Sequence, residues 1–246
     1  MRKRYKKSRK PRILPRILSV ALVLLVLCGI YGFLAYGPNP FDFSVPTLSE
    51  LFPPEKHIAS MEHGWNLILV NSDNYIPEGF TGDMTELWNG EQVDSRIYPA
   101  LQEMFDDARA EGVYMVVRAG FRTQEVQQAL MDERIRAFED EGCTHNNAVE
   151  LAKEWVAVPG TSEHQLGIAV DINQDPEKST ADEIYAWLSE HAWEYGFIYR
   201  YPPDKTEITG ISNEPWHYRY VGEEAAREIT QRGLCLEEYI AELDAD

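Results

Sequence analysis

Ser162-Glu163-His164-Gln165-Leu166-Gly167-Ile168-Ala169-Val170-Asp171 sets a histidine and a carboxylate seven residues apart with a glycine between them. Read as a strand, residues 168–172 turn Ile168, Val170 and Ile172 to one face and Ala169 and Asp171 to the other. Asp171 then sits beside a very small neighbour. Gly167 allows the chain to bend so that His164, on the preceding loop, returns beside Asp171 without a side-chain clash. Two readings fit the spacing: a pair of metal ligands, or a hydrogen-bonded His–Asp pair that stabilises a loop.

A second motif, Asn213-Glu214-Pro215-Trp216-His217-Tyr218-Arg219-Tyr220-Val221-Gly222, lies towards the C-terminus. Pro215 biases Glu214 to an extended conformation ahead of an aromatic-rich strand. A catalytic zinc site uses three ligands from histidine and carboxylate groups plus an open position, and His164, Asp171 and His217 compose such a set. Glu214, three residues before His217, is placed to serve as a base; the plain alternative is an exposed carboxylate in a turn. Trp216, Tyr218 and Tyr220 alternate with His217 and are expected on the core side of that strand. His57, His63, His145 and His191 have no ligand-like spacing and receive no role.

Around these motifs, residues 65–70 read as a strand ended by Asn71-Ser72-Asp73-Asn74. Ile97, Leu101, Met104, Phe105 and Ala108 recur at helical spacing up to a stop at Gly112, and residues 113–117 follow as a buried strand. Residues 124–139 and 147–156 are helical by composition. Thr180 with Glu183 forms a capping box that opens a helix to about Tyr195, and a last helix runs from Glu223 towards Asp246 with a break near Gly233. Interspersed helices and strands without a βαβ rhythm indicate an α+β fold.

The 246 residues carry 44% hydrophobic and 11% aromatic side chains, enough for one sizeable domain plus appendages. Residues 1–16 hold nine of the 23 basic residues and no acid, and residues 17–37 carry no charge. As a helix, those 21 residues would extend about 31 Å, close to a bilayer core of roughly 30 Å. The expectation is a basic cytoplasmic tail over 1–16, a transmembrane signal anchor over 17–37 and an extracytoplasmic remainder. A cleaved signal peptide is the alternative, disfavoured by the length of the apolar run and by Pro38. Prolines 38, 40, 46, 53 and 54 mark residues 38–60 as an extended linker, leaving 61–246 for the domain.

Beyond the tail, 14 basic residues face 41 acidic ones, a net charge of −27 that excludes nucleic acid as a partner. Cys143 and Cys235 would share an oxidising compartment, where they form either a disulfide or two buried thiols.

Taken together, Ser-x-His-x-x-Gly-x-Ala-x-Asp and Glu-Pro-Trp-His-Tyr-Arg-Tyr-Val-Gly resemble the signatures of the VanY-type zinc D-alanyl-D-alanine carboxypeptidases, L,D-carboxypeptidase relatives included. The similarity extends to residues 69–74, Gly120-Phe121-Arg122-Thr123 with Gln127, Arg200-Tyr201-Pro202 and residues 207–210, and so spans most of 61–223. It implies a small central antiparallel sheet flanked by helices, as in Hedgehog and DD-peptidase domains. It also implies one zinc ion per chain on His164, Asp171 and His217, with Glu214 as base. Arg122 inherits the substrate-facing role and is the cation available to a C-terminal carboxylate or a developing oxyanion. Gln127 and Ser162 would line the substrate pocket, although Gln127 also reads as a solvated helix face. The implied activity is removal of the terminal D-Ala from peptidoglycan stem peptides. Two alternatives are an L,D-carboxypeptidase acting on tetrapeptide stems and a non-catalytic, zinc-stabilised wall-binding module, against which the presence of Glu214 argues.

Overall fold

A computed structural model describes residues 57–245. The basic tail, the apolar stretch over 17–37 and most of the proline-rich segment lie outside the described residues. Among the described residues no helix is long and apolar enough to cross a membrane.

The centre is a four-stranded antiparallel sheet in the order β5-β6-β8-β7, formed by Met115–Ala119 (β5), Ala169–Gln174 (β6), His217–Tyr220 (β8) and Phe197–Tyr199 (β7). Two small sheets precede it. His57–Ile58 (β1) pairs in parallel with Asn74–Tyr75 (β2), and Met84–Glu86 (β3) forms a hairpin with Gln92–Asp94 (β4). The folded domain therefore begins inside the stretch expected to be linker, because Ala59 is buried and its N–H donates to Tyr75 O at 2.8 Å.

Helices flank the sheet as the resemblance implied. Tyr98–Ala110 (α1) buries Leu101, Met104 and Ala108, the apolar positions read from its sequence. Gln124–Asp140 (α2) begins at Thr123, whose Oγ1 accepts the Val126 N–H, and packs with His145–Lys153 (α3). Ala181–His191 (α4) opens on the Thr180–Glu183 capping box and passes into a 3-10 turn over Ala192–Tyr195. Thr206–Thr209 (α5) is a single turn. The C-terminal stretch is two helices, Glu223–Arg232 (α6) and Leu236–Leu243 (α7), divided at Gly233 as expected.

Val170 and Ile172 of β6, with Ile168 just ahead of the strand, form one buried face and pack with Val117, Met104, Ile184 and Leu188 in the main core. Tyr218 joins that core, and a second cluster binds β7 to α6 and α7 through Ile198, Ile229, Leu236 and Ile240.

Residues 65–70 are not a strand. Ile68 and Val70 are fully buried, but the carbonyls of Asn66 and Ile68 accept from Arg219 Nη2, at 3.0 and 2.9 Å. A buried guanidinium thus takes the place of a neighbouring strand. Cys143 and Cys235 are both free thiols, the second buried at the start of α7, so the disulfide alternative is set aside.

Candidate active site

The two motifs meet because β6 and β8 are neighbours in the sheet. Their register puts Asp171 directly opposite His217. His164 arrives from a 3-10 turn, Glu163–Leu166, that ends on Gly167 in the left-handed conformation with φ of +74°. A Cβ at Gly167 would lie 2.9 Å from Met84 Cε and 3.2 Å from the Asp94 nitrogen, so the turn also needs glycine for space. On the other side of β6, an irregularity in the β5 pairing between Val117 and Ala119 places Ala119 opposite Asp171 and carries Gly120-Phe121-Arg122 to the same centre.

The ligand-type atoms converge. His164 Nε2 is 3.3 Å and His217 Nδ1 is 3.1 Å from Asp171 Oδ1, and one ligand atom from each of the three residues lies within 4.8 Å of the others. Tetrahedral zinc with bonds of about 2.1 Å holds its ligands roughly 3.4 Å apart, so the two histidine–aspartate spacings suit it. His164 Nδ1 donates to Gly120 O at 2.8 Å, which commits its proton to that nitrogen and turns an unprotonated Nε2 towards the centre. The donor chemistry and the tautomer both fit a zinc ion.

Charge is distributed unevenly around the cluster. Burial lowers the pKa of His164, against the pull of Asp171. Burial opposes ionisation of Asp171, but His164 and His217 outweigh it and hold the carboxyl well below its usual range. For His217, burial works towards neutrality and is overcome by Asp171 and Glu163, which raise its pKa to about 9. Burial lifts Glu214 to about 7, with His217 pulling the other way. Glu214 Oε2 stands 3.7 Å from His217 Nδ1.

These groups open into a cavity of about 290 Å³, also lined by Arg122, Gln127, Ser162, Arg134, Trp155 and Trp216. Arg122 Nη2 donates to Asp171 Oδ2 at 2.8 Å, so the cation expected to await a substrate is already paired on one side. A guanidinium has five N–H donors, and one contact does not exhaust it. Arg134 is a second cation on the lining, which the sequence reading did not single out. Gln127 is buried rather than solvated. Its Nε2 donates to Ala157 O, and among the described residues its Oε1 has no hydrogen-bond partner. Ser162 is likewise buried on the lining. Trp216 departs from expectation: strand alternation begins only at His217, and the indole just ahead of it forms part of the cavity wall.

Glu163, Arg200 and Arg219 are fully buried and went unassigned in the sequence reading. Arg200 Nε donates to Glu163 Oε1 at 2.7 Å, Arg219 Nη1 lies 2.9 Å from the same oxygen, and Glu237 takes both terminal nitrogens of Arg200. Burial opposes the charge on Glu163, but the two guanidiniums keep it ionised. The available signal was Arg219 itself, a cation inside a Tyr-Arg-Tyr strand that demands a buried partner.

A histidine–aspartate–histidine cluster with a nearby glutamate in a cleft defines the class of metal-dependent hydrolases that activate water. Comparison with known proteins narrows this class. The family described as VanY, D-alanyl-D-alanine carboxypeptidase, matches residues 90–223, and the chain belongs to that family. A D-alanyl-D-alanine carboxypeptidase of Enterococcus faecalis (strain ATCC 700802 / V583) is 58% identical over 179 residues, covering 73% of this chain and 67% of that protein. Among solved structures, the zinc complex of a variant of the vancomycin resistance D,D-pentapeptidase VanY from a VanB-type cassette is 58% identical. It superposes with a TM-score of 0.70 over 72% of this chain and 99% of its own. VanYB in complex with D-alanine-D-alanine gives 58% and 0.71, over 72% and 98%. The LdcB LD-carboxypeptidase gives 34% and 0.59, over 70% and 84%.

Proposed function

We propose that this chain is a zinc carboxypeptidase that hydrolyses the terminal D-Ala-D-Ala bond of peptidoglycan stem peptides, with His164, Asp171 and His217 as the metal ligands. The observation that carries this is the convergence of those three side chains beside Glu214 in a cavity that also presents Arg122. A zinc ion held there supplies Lewis acidity, polarising the scissile carbonyl and easing deprotonation of the attacking water.

Glu214 takes the proton from that water and returns it to the leaving amine. Glu214 is buried beside the cluster, within reach of water at the centre and away from bulk solvent, which suits a carboxylate that must do both. Arg122 orients Asp171 through one N–H and offers others to the substrate's terminal carboxylate. That pairing favours cleavage one residue from a free C-terminus, because only then does a carboxylate reach the half-buried guanidinium's remaining donors. Gln127 Oε1 and Ser162 supply polar contacts along the peptide. The family relationship to the enterococcal enzyme and the likeness to VanYB favour D,D specificity over L,D.

The domain works on the outer face of the membrane, tethered by residues 17–37 through the linker that follows. The support is the charge-free length of that stretch and the nine cations ahead of it.

Incubation with defined pentapeptide and tetrapeptide stems, followed by mass spectrometry, tests the activity. Loss of one alanine from the pentapeptide alone, abolished by chelation and restored by zinc, is the expected result. Release from the tetrapeptide instead would establish L,D specificity, and release from neither would leave a binding module.

A further inference from the structure

His217 turns its Nδ1 towards Asp171 and Glu214, so its Nε2 faces the opposite way. There Glu163 Oε2 lies 3.5 Å from it. Both atoms are buried, and among the described residues neither has a hydrogen-bond partner of standard geometry. The other oxygen of the same carboxylate is fixed by Arg200 and Arg219, and Arg200 is gripped in turn by Glu237. The side chains of Glu163, Arg200 and Arg219 have no solvent exposure. Well-packed apolar residues would serve stability as well as such a charge network does. What a network offers in addition is one oxygen aimed at one ring nitrogen.

We propose that Glu163 is a positioning residue of the metal centre, accepting the Nε2 proton of His217 when a cation occupies Nδ1. The inference rests on the ligand set proposed above. Coordination through Nδ1 leaves the proton on Nε2, and Glu163 Oε2 is the acceptor in place to receive it. That bond fixes tautomer and ring orientation and makes His217 a more basic donor. His164 gets the corresponding support from a neutral carbonyl, Gly120 O, so the two imidazoles are inequivalent ligands. Arg200, Arg219 and Glu237 act one step further out by holding the carboxylate against rotation.

The test uses the zinc-loaded full chain in detergent, labelled with 15N-histidine. The expected spectrum shows the His217 proton on Nε2, in slow exchange with water. E163Q should shift that proton upfield and weaken zinc binding in chelator competition by about 10- to 100-fold. A purely structural role would lower stability without moving the proton. A protonated Nδ1 on His217, an Nε2 proton exchanging as fast as that of a free imidazole, or folded E163Q that holds zinc within twofold of the parent would each overturn the proposal. If E163Q does not fold, the parent spectrum decides alone. Zinc absent from His164, Asp171 and His217 would instead defeat the ligand assignment itself.

Discussion

Glu214 and Arg122 flank the same centre with separable tasks. Glu214→Gln keeps the shape but cannot accept a proton, so zinc stoichiometry should stay at one per chain while kcat falls by about 10²- to 10⁴-fold. Metal analysis and steady-state kinetics on one preparation check both halves; unchanged kcat would remove Glu214 from its role. Arg122→Ala should lower kcat/KM by about 2–4 kcal/mol, roughly 30- to 1,000-fold. A substrate amidated at its C-terminus supplies the control. The parent should lose a comparable factor on amidation, and Arg122→Ala little more, because carboxylate and guanidinium form one interaction. Full additivity of the two losses would show that Arg122 meets some other part of the substrate.

At the level of elements, the site depends on how a 3-10 turn, two paired strands and an irregular strand edge are brought into register. Gly167→Ala would place a side chain in the left-handed region and against Met84 and the Asp94 backbone. It should destabilise the domain by more than about 1 kcal/mol and displace His164. Denaturant unfolding and zinc affinity should both report the change, and a neutral outcome would mean that β3–β4 yields to the added methyl. The strand alternation of β6 was legible because its buried face is wholly aliphatic, and the α4 capping box because its two partners are local. The β3–β4 hairpin is absent from the sequence reading, because the runs on either side of Asn89-Gly90 are too polar to announce strands. Residues 65–70 misled for the opposite reason: apolar content marked burial, and burial was taken for pairing. The ligands stood out by motif, whereas Glu163 looked like filler beside His164, since only tertiary structure gathers two arginines around it.

For the molecule as a whole, the Glu237–Arg200–Glu163–Arg219 network ties the C-terminal helix to the sheet and predicts a particular acid response. Burial opposes ionisation of Glu237, yet Arg200 lowers its pKa below the ordinary 4.5. A carboxyl depressed on folding contributes stability that is present above about 4.5 and disappears as pH falls through the lower folded value. Glu237→Gln should therefore cost about 3 kcal/mol near neutrality. The gap from the parent should narrow as the solution is acidified below 4.5. Unfolding free energies measured across pH 2–7 check this, and a constant gap would mean that the carboxylate charge contributes nothing.

The two carbonyls that Arg219 takes from Asn66 and Ile68 make the entry to the domain part of its electrostatic interior. A protease that clipped the chain between Ile68 and Asn71 would therefore do more than release the domain from whatever precedes it. It would strip a buried cation of two of its acceptors, loosen the carboxylate behind His217, and leave the shed fragment with reduced metal retention.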